Sequence, residues 1–90
     1  MNKKDLKFAF GDVLREMRLE RGLSQSELSR LSDTDRPYIS VLESGRKMPT
    51  LETLLRFSRV LGADPGEVMN RIDRKMKAKE SGERPPLMRR

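Results

Sequence analysis

Arg36, Pro37, Ser40 and Val41 stand together at the start of a short periodic stretch whose opposite face carries Ile39 and Leu42. Their side chains offer a planar fork of guanidinium donors, a hydroxyl that donates or accepts, and two small apolar surfaces. Around them lie further groups suited to anionic oxygens: Gln25, Tyr38, Ser44, Arg46 and Lys47. Such a set binds and discriminates; it does not break bonds. The 90 residues contain neither histidine nor cysteine, which removes the commonest general base, the thiol nucleophile, the thiolate metal site and the disulfide. Nothing else is spaced as a nucleophile with its base or as a metal-ligand cluster. The expectation is a protein that is not an enzyme and needs no cofactor.

The elements that must position these groups can be read from the spacing. Ser24 and Glu27 form an S-x-x-E capping box with Leu23 and Leu28 at the flanking staple positions, so a helix should begin at about Gln25, turn Leu28 and Leu31 inward and stop near Ser32. Asp33 and Thr34 supply turn chemistry. A second start follows at Asp35, with Pro37 in the first turn, where amides have no intrahelical partner, and the stripe Ile39, Leu42 ends at Gly45. Two short helices joined by so brief a turn make a helix-turn-helix.

Flanking patterns complete an all-α, five-helix domain over residues 6–78. Leu6, Phe10, Val13, Leu14 and Met17 repeat with helical spacing up to Gly22, behind a flexible start at residues 1–5. After the basic linker Arg46 to Pro49, Thr50 caps a helix with Leu51, Leu54, Leu55, Ser58 and Leu61 on one face, Phe57 at its edge and Val60 opposite. Asp64-Pro65-Gly66-Glu67 starts a fifth helix that buries Val68, Met69 and Ile72, with Met76 one turn on. From there the chain turns polar and Pro-rich, so residues 79–90 read as a disordered basic tail. No apolar run approaches a membrane span and no signal-peptide pattern opens the chain, consistent with a soluble, cytoplasmic protein. Net charge is +6, and its distribution is uneven: residues 1–45 hold eight basic and eight acidic side chains, residues 46–90 twelve and six. A basic half points to a polyanionic partner.

Leu23-Ser-Gln-Ser-Glu-Leu28, Tyr38-Ile-Ser-Val-Leu-Glu-Ser-Gly45, Pro49-Thr-Leu-Glu-Thr-Leu54 and Leu61-Gly62 resemble the Cro-like phage-repressor (XRE) helix-turn-helix family, over about Phe10 to Asp73. One residue departs from its pattern: Asp33 stands where the family usually has glycine in the turn. The resemblance implies a compact lambda-repressor-like fold and a sequence-specific double-stranded DNA-binding regulator, most simply a repressor, acting as a homodimer on a near-palindromic operator. It further implies a salt bridge between Arg18 and Glu43, read as structural, and a backbone-contacting role for Gln25. The helix after the turn would enter the major groove, with Arg36 bonding guanine O6 and N7, Pro37 and Val41 meeting thymine methyls, and Ser40 discriminating weakly. Gln25, Tyr38, Ser44, Arg46 and Lys47 would hold phosphates. Phe57, Val60, Met69 and Met76 are the expected dimer interface. Arg74, Lys75, Lys77, Lys79, Arg84, Arg89 and Arg90 read as a solvated charged face, with added sequence-independent affinity as the alternative. Prophage repressor, restriction-modification controller and antitoxin are the settings the family suggests, with regulation expected from protein level, cooperativity or a partner protein, since no separate ligand-sensing domain is expected. The competing class is a protein-interaction module, such as a toxin-neutralising antitoxin or an adaptor. Pro37 and Val41 in place of long polar readers favour it; Arg36, Gln25 and the basic linker oppose it.

Overall fold

Asn2 begins the first helix, α1 (Lys3–Glu20), by accepting the Lys4 amide on Oδ1 at 2.8 Å. A side-chain acceptor at this position satisfies a first-turn donor, so the helix starts at Lys3, ahead of the apolar stripe and inside the segment expected to fray. Ser24 starts α2 (Gln25–Ser32) with both arms of the capping box closed: the Glu27 amide donates to Ser24 Oγ at 3.0 Å, and the Ser24 amide donates to Glu27 Oε1 at 2.8 Å. The turn follows through Asp33 at φ 53° and ψ 49°, a left-handed conformation that aspartate tolerates at some cost. Next come α3 (Arg36–Glu43), α4 (Leu51–Val60) capped by Thr50, and α5 (Pro65–Glu80) capped by Asp64. This computed structural model describes residues 1–82. Lys79 and Glu80 therefore belong to the last turn of α5, and the rest of the expected tail from residue 83, with Arg84, Arg89 and Arg90, lies outside the described residues.

Hydrogen bonding to the Ser24 amide, and then to its hydroxyl, holds the Glu27 carboxyl below the usual carboxylate range. A depressed folded-state pKa contributes stability that is present above the unfolded value of about 4.3 and is lost as pH falls through the folded value. Glu27→Gln keeps the shape of the box without the charge, so it should be less stable than the parent at pH 7, and the gap should narrow as pH falls below the unfolded value of about 4.3. Urea denaturation across that range checks it; a gap that stays constant would show that the charge contributes nothing.

The core is Phe10, Val13, Leu14, Met17, Leu28, Ile39, Leu42, Phe57, Leu61, Val68, Ile72 and Met76, together with Ala9. Three residues expected inside are outside: Leu31 is 49% exposed, Leu51 72% and Met69 51%. In α2 the second inward position is Ser32, not Leu31, and its hydroxyl can be buried because it donates to the Leu28 carbonyl at 2.6 Å. In α4 the helix is flanked by both α2 and α5, and the arc facing both contains Phe57, Ser58 and Leu61. Phe57 lies roughly 120° around the helix from Leu51, so burying the ring leaves Leu51 in solvent. The aromatic has more apolar surface to remove from water, and each square ångström is worth about 25 cal/mol.

α5 runs back along α1. Arg71 pairs with Glu20 at 3.0 Å and Lys75 with Glu16 at 2.8 Å, while Lys79 approaches Asp5 at 4.0 Å, so position rises on one helix as it falls on the other. Lys77 pairs within α5 with Asp73. Arg71, Lys75 and Lys79 thus face carboxylates of α1 along the domain's own surface. No helix among the described residues is long and apolar enough to cross a membrane.

Candidate nucleic-acid interface

α3 is anchored by Ile39 and Leu42, both fully buried, and presents its other side outward. Arg36 and Pro37 are exposed; Ser40 and Val41 are half-buried along the same helix. The four proposed readers thus share one short element whose backbone is held from beneath. Pro37 occupies the second helical position, where its fixed φ suits the first turn.

Holding α3 in place is a buried ion pair. Arg18 on α1 donates from Nε to Glu43 Oε2 at 2.7 Å and from Nη2 to Oε1 at 2.9 Å, and its Nη1 donates to the Leu23 carbonyl at 2.8 Å. The two side chains are only 9% and 5% exposed. The hydrogen bond to Glu43 raises the Arg18 pKa further above its already high ordinary value, so the guanidinium keeps its charge in this dry setting. Gln25, the first residue of α2, joins the cluster: its Nε2 donates to Glu43 Oε1 at 3.0 Å. One carboxylate therefore ties the body of α1, the start of α2 and the end of α3 together. Gln25 keeps its carbonyl oxygen and a second amide hydrogen for another partner.

The remaining phosphate candidates differ in availability. Ser44 Oγ donates to the Val41 carbonyl at 2.7 Å and accepts from Arg46 Nε at 2.9 Å, so the hydroxyl mainly orients Arg46, an exposed residue. Lys47 is exposed, while Tyr38 is half-buried and packs against the core.

Two glycines matter here, Gly45, expected from the sequence to end the helix, and Gly11, whose role only the packing shows. Gly11, in the middle of α1, lies so close to α3 that a Cβ there would stand 2.6 Å from the Leu42 carbonyl oxygen and 2.8 Å from that of Glu43. In the sequence it is only a glycine inside a helical stripe, a residue that by helix propensity alone weakens the helix slightly. Gly45 closes α3 at φ 80°, with the ring of Phe8 over it.

The expected dimer residues divide. Phe57, at 2% exposed, and Met76, at 5%, are core side chains and cannot meet a second copy without unpacking the domain. Val60 is half-buried against the core, and Met69 is half-exposed. Leu51, missed because the wrong arc of α4 was assigned inward, is the most exposed large apolar residue of α4 and α5. Among the described residues no group of three or more His, Cys, Asp or Glu side chains could hold a metal ion.

Residues 14–68, which contain the whole bihelical unit, match a family described as helix-turn-helix. The chain is 33% identical over 69 residues to an uncharacterised HTH-type transcriptional regulator, y4dJ, of Sinorhizobium fredii, covering 77% of this chain and 90% of that protein. It is 34% identical over 71 residues to the control protein C.MunI of a Mycoplasma species, covering 78% and 96%. Among solved structures it superposes on the clp gene regulator ClgR from Corynebacterium glutamicum with a TM-score of 0.80 at 31% identity, covering 86% of this chain and 82% of that one. It also superposes on the restriction-modification controller protein C.Esp1396I, seen as a tetramer with its natural 35 base-pair operator, with a TM-score of 0.71 at 26% identity over 78% and 92% of the chains. This chain belongs to the XRE-type helix-turn-helix family.

Proposed function

We infer that the protein is a sequence-specific double-stranded DNA-binding transcriptional regulator that acts as a homodimer on a near-palindromic operator in the cytoplasm, and that it represses by occupying promoter DNA. The observation that carries this reading is an exposed Arg36 on a short helix immobilised by a buried ion pair, with Gln25 attached to that same pair. Preorganised donors of this kind suit the edges of base pairs on one side and the phosphate backbone on the other. Arg36 takes guanine, Pro37 and Val41 contact thymine methyls, and Ser40 tunes them; Gln25, Arg46 and Lys47 carry the phosphate contacts, with Ser44 and Tyr38 at their margin. A tetramer of the similar C.Esp1396I binds an operator, which supports assembly of more than one copy here. Leu51 and Met69 are the exposed large apolar side chains of α4 and α5, and we assign the contact to them, with the outer edge of Val60 beside them.

Fluorescence anisotropy with duplexes from upstream of the protein's own gene, challenged by excess nonspecific duplex, tests the reading. Two or three charged contacts per subunit, or about five phosphates per dimer, give a log–log salt slope of about −4 to −5. Arg36→Ala should weaken operator binding by about 1–3 kcal/mol and relax one base position. Binding of upstream and unrelated duplexes with equal affinity would remove the regulator reading, and equal loss on every sequence would make Arg36 a phosphate contact.

A further inference from the structure

Five side chains stand at helix N-caps, and four of them do what such residues do: Asn2, Ser24, Thr50 and Asp64 each accept a hydrogen bond from a first-turn amide. Asp35, at the start of α3, accepts none. An N-cap oxygen bonds the amide of the second or third helical residue; in α3 the second residue, Pro37, has no amide hydrogen, and the amide of the third, Tyr38, does not donate to the Asp35 side chain either. The contrast with α5 is direct: there proline is the first residue, the second is Gly66, and its amide donates to Asp64 Oδ1 at 2.9 Å. Asp35 is exposed, and no basic side chain among the described residues lies within salt-bridge distance of it. A chain of net charge +6 thus holds an uncapped, unpaired carboxylate at the leading tip of its recognition helix, next to Arg36.

We propose that Asp35 is a specificity-determining residue that selects cytosine at one position of each operator half-site. The proposal rests on the DNA-binding reading above. A carboxylate accepts hydrogen bonds and donates none. Close to a duplex it is repelled by phosphates and by the acceptor edges of guanine and thymine, O6, N7 and O4. The N4 amino group of cytosine is the major-groove donor that acidic side chains take. Adenine offers N6 beside the N7 acceptor, a pairing that suits an amide better than a carboxylate. Asp35 therefore contributes by excluding wrong bases as much as by binding the right one, while the neighbouring Arg36 takes guanine. Pro37 starts the helix and offers Asp35 no amide at the second position, and with the Tyr38 amide also untaken the Asp35 carboxylate is free to reach a base.

Selection of binding sites from a randomised duplex pool by the full chain, repeated with Asp35→Ala and Asp35→Asn, tests this. The parent chain should recover a motif with cytosine at one position per half-site. Asp35→Ala should lose about tenfold of the preference at that position alone, bind nonspecific duplex more tightly, and remain folded with at most a small fall in melting temperature, because the side chain makes no cap hydrogen bond and contributes only its charge at the helix N-terminus. Asp35→Asn, which preserves shape, should shift that position toward adenine. An unchanged motif in both variants overturns the assignment, as does a uniform gain in affinity with every base preference intact. A parent chain that selects no motif at all overturns the assignment together with the DNA-binding reading, and is distinguishable from the other outcomes before any variant is made.

Discussion

Arg18→Ala should destabilise the domain by about 3–5 kcal/mol, a large share of the stability of any domain this size. The magnitude follows from what remains. Glu43 is 5% exposed, and without the guanidinium its carboxylate would keep only the Gln25 amide among its side-chain partners, while the Leu23 carbonyl would lose its donor as well. Removing one member of a buried pair leaves an uncompensated charge, which is far more damaging than the pair is beneficial. Replacing both members with apolar residues, Arg18→Met with Glu43→Leu, should therefore be milder than Arg18→Ala alone. Urea denaturation of the single and double variants measures the difference. If Arg18→Ala lowers stability by less than about 1 kcal/mol, the pair is a surface contact in energetic terms and does not hold α3. The double variant also separates stability from recognition: it should fold yet bind operator weakly, because Gln25 has lost the carboxylate that orients it.

Gly11→Ala should destabilise by roughly 1–3 kcal/mol, and Gly11→Val by more. The sign is the informative part. Helix propensity alone makes alanine better than glycine in a helix interior by about 0.5–1 kcal/mol, so a residue that merely weakened α1 would be improved by the change. The Cβ, however, would stand 2.6 Å and 2.8 Å from two backbone carbonyl oxygens of α3, atoms that cannot swing aside as a side-chain end can. α3 must shift outward as a body, loosening Ile39 and Leu42 and changing the angle at which Arg36 is presented. Thermal melts give the sign, and operator affinity measured well below the melting temperature shows the displacement. A Gly11→Ala variant that is more stable than its parent would mean that the helices do not approach so closely.

The bihelical unit was legible because its signals are local. Ser24 with Glu27 and Pro37 after Asp35 act through backbone amides within a turn of themselves, and those positions mark helix starts wherever the rest of the chain lies. The same locality misled at the ends. Asn2 capped a helix ahead of any apolar residue, and α5 continued to Glu80 through polar sequence, supported by Lys75 and Lys79 near carboxylates of α1 that are distant in the chain. The left-handed turn at Asp33 lies between these cases: aspartate was recognisable as turn chemistry, but that the chain tolerates φ 53° there reflects the helices docked on both sides.

Spacing of apolar residues and capping side chains, then, was enough to establish the five helices of the described residues, their order, a helix-turn-helix at the second and third, and that Ile39 and Leu42 turn inward while Arg36 and Pro37 lie exposed. Which arc of α4 faces inward, and hence that Phe57 and Met76 are core while Leu51 is surface, was decided only when α2 and α5 closed on it. So too were the role of Gly11 and the attachment of Gln25 to Glu43, eighteen residues away. A helical period locates a stripe but does not say how far the helix rolls about its axis, and the roll is set by the shapes that neighbouring helices bring to the contact.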